Sequence, residues 1–208
     1  MSESEAGPIK TVDDLRLLYK EPRAAARLKA LDQLDTFCRD FIALSPFFVL
    51  ASCNANGHAD ASPRGDHPGF VRVLDERTLL IPDRPGNNRI DTMRNIVSNP
   101  DVGMIFFVPG FNETLRVNGT ATIEQDPELC AQFAVNGKPA LSVMSVSVCE
   151  AFFHCGKALM RSRLWDPTTY RERSAFPSHG RILAEQTKTV SVEESETYVA
   201  KSYRERLY

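Results

Sequence analysis

Two short basic segments of the chain contain the residue types that bind a phosphorylated cofactor. Residues 81–94 predict a strand end, a Pro/Gly turn and a helix start, capped by Asn87 or Asn88 and carrying Arg89. A capped helix start offers unpaired backbone N–H groups and partial positive charge, and a guanidinium beside it binds phosphate in a bidentate manner. Residues 61–66, one hairpin upstream, form a second basic strand end. Together the segments predict a site for a phosphorylated cofactor.

The same segments also allow a purely structural interpretation. Arg64, Asp66 and Arg89 would form a clamp for a phosphate and a ribityl chain in the first interpretation. In the second they form an Arg–Asp surface pair beside ordinary turns, which contributes little to stability. Pro-Gly-Asn-Asn is also common turn chemistry. Local sequence leaves both interpretations open.

The segments that would position these residues predict a β-rich chain. Seven apolar or alternating segments predict strands, and Gly119 within the sixth predicts a bulge or a close backbone approach. The apolar period of the seventh slips near Met144, as at a β-bulge. The predicted strands are residues 47–53, 58–64, 69–74, 78–82, 102–108, 113–124 and 140–154.

Helices are predicted around this sheet. Thr11 and Asp14 form a capping box for a helix over residues 11–19. Over residues 22–45, large apolar residues recur at threes and fours, which predicts a helical face packed against the barrel or a second subunit. Further helices are predicted over residues 88–98, 126–136 and 156–164, and from Ser191, with Glu194 in its first turn, towards Arg206.

The order of these elements indicates an α+β fold with a mostly antiparallel β-barrel of six or seven strands and peripheral helices. At 208 residues, the chain suits one core better than two domains. Residues 1–45 are predicted to be a tail and helices packed on the barrel, residues 46–165 the barrel, and residues 166–208 a C-terminal segment and helix. All three parts belong to one structural domain.

Composition argues against several classes of function. A net charge of −2 provides no field to hold nucleic acid, and the N-terminus has no basic leader. No apolar run is long enough to span a bilayer. Five scattered cysteines without a C-x-x-C pair, and histidines far apart in sequence, predict neither a disulfide scaffold nor a metal site. A cytoplasmic protein with no membrane or nucleic-acid partner is expected.

The order of strands, turns and helices resembles the pyridoxamine 5′-phosphate oxidase-like family of FMN-binding split barrels of Greek-key type. The resemblance covers residues 47–165, and it depends on the order of the motifs, since no one motif is specific. The matching motifs are residues 62–66, residues 85–89 with the helix running to 99–100, the strand at residues 116–119, and residues 152–161.

The resemblance implies a homodimer with one FMN in each of two clefts at the subunit interface. By position, Arg64, Gly65 and Asp66 would lie along the flavin ring and the ribityl chain. Pro82 would line the strand beneath the ring. A cation near the flavin N1–C2 edge would stabilise the reduced, anionic flavin.

The resemblance also implies residues for the phosphate and for the partner subunit. Asn88 and Arg89 would hold the phosphate through charge-assisted hydrogen bonds. Thr114 lies where the family has a polar flavin contact. Lys157 and Arg161 would come from the partner subunit.

Three residues near the end of the barrel keep two interpretations each. His154 is either a proton donor or cleft residue, or a hydrogen-bonded structural histidine. Cys155 is a thiol activated by the neighbouring charge of Lys157, or is a small buried residue. Trp165 packs at the dimer interface or covers the flavin. No catalytic acid or base is evident.

The resemblance implies an FMN-dependent oxidoreductase with non-covalent FMN and an unidentified small-molecule substrate or electron donor. The C-terminal residues 203–208 differ from the oxidase's substrate-contacting segment, so vitamin B6 oxidation is not carried over. The alternative is a non-catalytic protein that binds or stores FMN, haem or a deazaflavin. A third possibility is an interaction protein with a vestigial cleft.

Overall fold

Seven strands form one sheet in which every pairing is antiparallel, in the order β2-β1-β5-β6-β7-β4-β3. The computed structural model describes residues 7–208. The predicted α+β split barrel with peripheral helices is confirmed. The strands are β1 (Phe47–Cys53), β2 (Ala59–Gly65), β3 (Arg72–Asp75), β4 (Thr78–Pro82), β5 (Asp101–Phe107), β6 (Thr114–Glu124) and β7 (Val143–His154).

Eight α-helices and two short 3₁₀ turns, Pro167–Thr169 and Arg173–Ala175, surround the sheet in the described part of the chain. None of these helices is long and apolar enough to cross a membrane. The helices are α1 (Val12–Leu18), α2 (Ala24–Leu28), α3 (Thr36–Leu44), α4 (Asp91–Ser98), α5 (Pro127–Ala131), α6 (Lys157–Ser162), α7 (His179–Thr187) and α8 (Val192–Glu205).

The core lies on the inner face of the sheet. Alternate residues of β1 and β5 are buried, because successive side chains of a strand point to opposite faces. Phe48 stacks on Phe106 with ring centroids 4.9 Å apart, and on Phe70 at 5.9 Å. Each such fully buried side chain stabilises the fold by about 1.5–3 kcal/mol relative to an exposed one.

The pairing of β6 with β7 contains a β-bulge, but not at the position that the apolar pattern predicted. The register passes unbroken through Met144 and shifts between Asn118 and Gly119, where Cys149 is the extra residue of β7. A Cβ on Gly119 would lie 2.2 Å from the main-chain oxygen of Ser147. Both predictions for Gly119 are therefore confirmed. The predicted bulge near Met144 is wrong. The consecutive residues Val143 and Met144 point to opposite faces of β7 and are both buried, so the change in the apolar pattern there does not mark a change of register.

The single long helical region predicted over residues 22–45 is wrong. Helix α2 ends at Leu28, and Leu31 then exchanges two main-chain hydrogen bonds with Ala151 of β7 (3.0 and 2.8 Å). Asp35 then caps α3 by accepting the N–H of Cys38 at 2.8 Å. The predicted packing face is present in α3, whose buried residues join the core, whereas α1 and α2 bury none.

The terminal helices begin where capping boxes were predicted. Thr11 with Asp14 opens α1, and Ser191 with Glu194 opens α8. Helix α7, which was not predicted, packs against α8. Helix α5 ends earlier than predicted, because the chain turns back at residues 135–138. Residues 1–6 of the predicted tail lie outside the described residues.

Candidate functional site

A cavity of about 540 Å³ lies between the end of β2, the loop after β4 and the start of α4. Residues from both predicted basic segments line it. The lining consists of residues 62–65, residues 82–93, Phe70 and Leu141. The structure therefore brings Arg64, Gly65, Pro82, Asn88 and Arg89 to one cavity.

A direct hydrogen bond joins the two basic segments. Nη2 of Arg64 donates to Oγ1 of Thr92 in the first turn of α4 at 3.1 Å, and this hydroxyl donates to Oγ of Ser62 at 3.3 Å. Burial lowers the pKa of Arg64, although Asp83 and Asp60 favour its charged form. Arg64 is thus a partly desolvated cation held in place by α4.

The predicted cap of α4 is wrong, since the helix begins at Asp91 and neither Asn87 nor Asn88 caps it. Asn88 (φ 60°) and Ile90 (φ 51°) adopt left-handed backbone conformations that interrupt the helical path. Asn87 Oδ1 instead accepts the N–H of Arg89 at 3.1 Å. No side chain of the described residues caps α4, so its first N–H groups stay free for a ligand.

Arg89 points into solvent beside the helix start. Its side chain is 73% exposed, and Nε pairs with Oδ2 of Asp91 at 2.8 Å. An exposed pair of this kind is weak, so an incoming anion can displace Asp91. Arg89 lies just before α4 rather than on its first turn as predicted.

Asp66 does not line the cavity. Its side chain is 3% exposed and accepts three hydrogen bonds, from Nε of Arg84 (2.8 Å), the hydroxyl of Tyr208 (2.7 Å) and the N–H of His67 (2.8 Å). Burial alone would raise the pKa of Asp66, but these donors hold it below its ordinary value. Asp66 therefore orients Arg84, which does line the cavity.

Sequence reasoning missed Arg84, Asp83 and Tyr208. Arg84 is also bound through Nη1 to the main-chain oxygen of Phe133 at 2.7 Å. Burial raises the pKa of Asp83, and the positive charges of Arg64 and Arg84 oppose the rise. Arg84 and Asp83 lay within the segment that predicted the site, whereas nothing in the sequence pointed to Tyr208.

Thr114, Lys157 and Arg161 do not line this cavity. Thr114 is buried on β6 opposite His154. Lys157 and Arg161 lie on α6, which has no buried residue. The roles of the last two depend on a second subunit and stay predictions.

His154 lies on the outer face of the sheet beside Phe152, with ring centroids 4.9 Å apart. Its Nε2 is buried without a hydrogen-bond partner in the described structure. Burial lowers the pKa of His154, with further lowering by the charges of Lys29 and Arg116. Both interpretations of His154 stay predictions.

Cys155 and Trp165 occupy the same end of the barrel. Cys155 is exposed, so the interpretation as a small buried residue is wrong. Trp165 donates from Nε1 to the main-chain oxygen of Phe111 at 2.7 Å. Among residues 7–208, no group of three or more His, Cys, Asp or Glu side chains is arranged to hold a metal ion.

Comparison with known proteins found one family match. A family model described as pyridoxamine 5′-phosphate oxidase matches residues 34–155, which contain all seven strands. No curated protein matches the sequence.

Several solved structures are similar to the chain. HupZ from Group A Streptococcus is 19% identical, with a TM-score of 0.48 over 58% of this chain and 93% of that chain. General Stress Protein 26 from Bacillus anthracis is 15% identical, with a TM-score of 0.41 over 55% and 92%. A conserved hypothetical protein, Rv2991 from Mycobacterium tuberculosis, is 13% identical, with a TM-score of 0.45 over 76% and 100%.

Proposed function

Because the chain belongs to the pyridoxamine 5′-phosphate oxidase family, we propose that it binds FMN non-covalently and acts as an FMN-dependent oxidoreductase. The observation that carries the proposal is the cavity where Arg64, Arg89 and the uncapped start of α4 meet. FMN would supply hydride transfer, and the chain would supply binding, orientation and electrostatics.

The cavity fits FMN in size and in chemistry. Its volume of about 540 Å³ lies within the range of ordinary cofactor pockets. Its lining has three cations, Arg64, Arg84 and Arg89. Because Arg84 is paired with the buried carboxylate of Asp66, Arg64 and Arg89 are the cations that an anionic ligand would meet.

Apolar side chains supply the surface for the flavin ring. Phe70, Ile90, Met93 and Leu141 line the cavity, and Ile90 and Leu141 are 58% and 62% exposed. Exposed apolar residues beside clustered cations are typical of a ligand site that buries a ring and fixes a charged tail.

The roles of the residues follow from these positions. Asn88, Arg89 and the free N–H groups of α4 would hold the phosphate, which would replace Asp91 as the partner of Arg89. Arg64, Gly65 and Pro82 would lie along the ribityl chain and ring. Asp66 would not contact FMN and would instead hold Arg84 in place.

A homodimer completes the proposal. The outer face of β1 and β5 presents Phe47 and Ile105 to solvent, and Phe47 packs against Phe107 with centroids 6.1 Å apart. Exposed aromatic patches are typical of protein interfaces. In this dimer we expect Lys157 and Arg161 of one copy to reach the cleft of the other. Thr114 lies on β6, which pairs with β5.

The alternative function is non-catalytic binding or storage of FMN, haem or a deazaflavin. The described residues that line the cavity include no histidine or cysteine, so haem iron would find only the thioether of Met93 as a ligand. This lining favours a flavin or deazaflavin over haem. All five cysteines are free thiols, which suits the reducing cytoplasm that the proposal assumes.

An absorption spectrum and an FMN titration test the proposal. Purified protein should bind FMN, and Arg89→Ala should weaken binding by about 1.5–3 kcal/mol, the value of one hydrogen bond to a charged group. Arg181→Ala is the matched control, because Arg181 is an exposed arginine paired with Glu185 on the remote helix α7. Equal affinity in the two variants would show that the phosphate binds elsewhere.

Reduction by NADH or NADPH separates the two functions. Repeated bleaching and reoxidation of the bound flavin, with turnover of the nicotinamide, supports the oxidoreductase. Stable yellow protein that no donor reduces would support storage instead.

A further inference from the structure

A second cavity, of about 270 Å³, adjoins the proposed cofactor cavity. Asp83, Arg84, Pro85 and Leu141 line both cavities, so the two share one wall. The remaining lining is mostly apolar and comes from residues 135 and 138–140, together with the ring of Tyr208. A mostly apolar cavity with few polar groups is typical of a small-molecule site, and this one is smaller than a drug-sized pocket.

Asp83 is the polar group on the shared wall that has no side-chain partner. Within residues 7–208, its carboxylate accepts no hydrogen bond and forms no ion pair, although the residue is half-buried. Its main-chain N–H donates to the oxygen of Ser142 at 2.9 Å, which fixes its position. Solvent reaches the Asp83 oxygens, so the O–H or N–H of a ligand in the cavity can replace water as their hydrogen-bond donor.

The other charged groups of the second cavity are already occupied. Arg84 is bound to Asp66 and to the main-chain oxygen of Phe133, and Lys138 donates to the main-chain oxygen of Tyr208 at 3.1 Å. The positive charges of Arg84 and Lys138 are thus balanced by the negative charges of Asp66 and Asp83. This balance favours an uncharged ligand over an organic anion or an ammonium ion.

We propose that the second cavity is the substrate subsite, and that it takes a small neutral organic molecule whose O–H or N–H donates a hydrogen bond to Asp83. The inference rests on the proposed function, because it makes this cavity the place where the substrate lies beside the cofactor. Burial also makes the Asp83 carboxylate a stronger base than an ordinary aspartate, which suits a group that receives a proton.

The test uses ¹⁹F NMR of 4-fluorophenol with the full chain, with and without added FMN. Saturable binding of 4-fluorophenol is expected. Fluorobenzene, which lacks the donor, and 4-fluorobenzoate, which would face Asp83 with a like charge, should each bind roughly tenfold more weakly. Equal or tighter binding of either analogue would overturn the proposed ligand class.

Two variants locate the binding. Val135→Trp fills the second cavity without touching the cofactor cavity and should abolish saturable binding, while Asp83→Ala should reduce it roughly tenfold. Val190→Trp, at an exposed position between α7 and α8, is the control and should bind like the wild type. Circular dichroism identifies any variant that fails to fold. If one of Val135→Trp and Asp83→Ala does not fold, the affinity of the other for 4-fluorophenol tests the inference. Wild-type affinity in a folded Val135→Trp or Asp83→Ala variant would overturn the inference.

Parallel FMN titrations keep the two proposals distinct. If FMN binds and 4-fluorophenol does not saturate, the subsite is wrong and the cofactor proposal stands. If 4-fluorophenol binds as expected and FMN does not, the second cavity is a ligand site and the proposed function is wrong.

Discussion

Replacing Asp66 by alanine is expected to destabilise the protein strongly, because three donors converge on its buried carboxylate. Arg84, Tyr208 and the N–H of His67 lie 2.7–2.8 Å from its oxygens, and the side chain is 3% exposed. Removing one partner of a buried ion pair costs about 3–5 kcal/mol, since the other charge stays buried without compensation. The substitution Tyr208→Phe removes one hydrogen bond to a charged group and should cost about 1.5–3 kcal/mol.

The pH dependence of this effect has a definite sign. The pKa of Asp66 in the folded protein is held below its unfolded value of about 3.9, since its donors outweigh burial. A group with a depressed folded pKa stabilises the fold above its unfolded pKa, and this contribution is lost as the pH falls through the folded pKa. The difference between wild type and Asp66→Ala should therefore be full at neutral pH and should shrink in strong acid.

Urea denaturation followed by the fluorescence of Trp165, the one tryptophan of the chain, measures these differences. The control is Asp32→Ala, which removes an ion pair to Arg77 whose aspartate is 75% exposed, and it should stay near the wild type. If Asp66→Ala is no less stable than Asp32→Ala, Asp66 does not hold this end of the fold.

Three further substitutions or modifications test other parts of the structure. Gly119→Ala should lower the free energy of unfolding by at least about 1–3 kcal/mol, because its Cβ would collide with the main chain of β7; a wild-type urea midpoint would contradict the bulge geometry. Iodoacetamide should alkylate the exposed Cys149 and Cys155 first and Cys38 last, since burial raises the pKa of Cys38 to about 12, and mass spectrometry gives the order. Asp83→Asn should raise the urea midpoint at neutral pH and not in acid. The raised folded pKa of Asp83 means that its contribution to stability is lost as the pH rises through that pKa.

The strands were predictable because their signal is local. The apolar run from Phe47 to Cys53, bounded by turn signals, located β1 at the residues where the structure has it. The capping boxes of α1 and α8 were equally local, since each depends on two residues three positions apart.

The errors in the fold have long-range causes. Leu31 looked helical by spacing, yet its backbone pairs with Ala151, far away in sequence. The bulge of β7 falls at Cys149 because Gly119 on the neighbouring strand permits close approach there. Neither partner is visible from the residues within a few positions of the error.

The candidate site divides in the same way. The sequence alone determined which segments carry cations and turns, and Arg64, Pro82 and Arg89 of those segments line one cavity. The tertiary structure decided which partners the charged side chains bind and which of them face the cavity. Asp66 binds Tyr208, which is 142 positions away in the chain, and thereby orients Arg84 instead of facing the cavity.

The helix start of α4 shows the physical reason for this division. Residue types and turn signals are properties of short segments, so the sequence determined that a turn precedes α4. The left-handed backbone of Ile90 is unfavourable for a β-branched residue, so the residue types of this segment do not predict it. The free N–H groups that result were therefore decided by the fold and not by the local sequence.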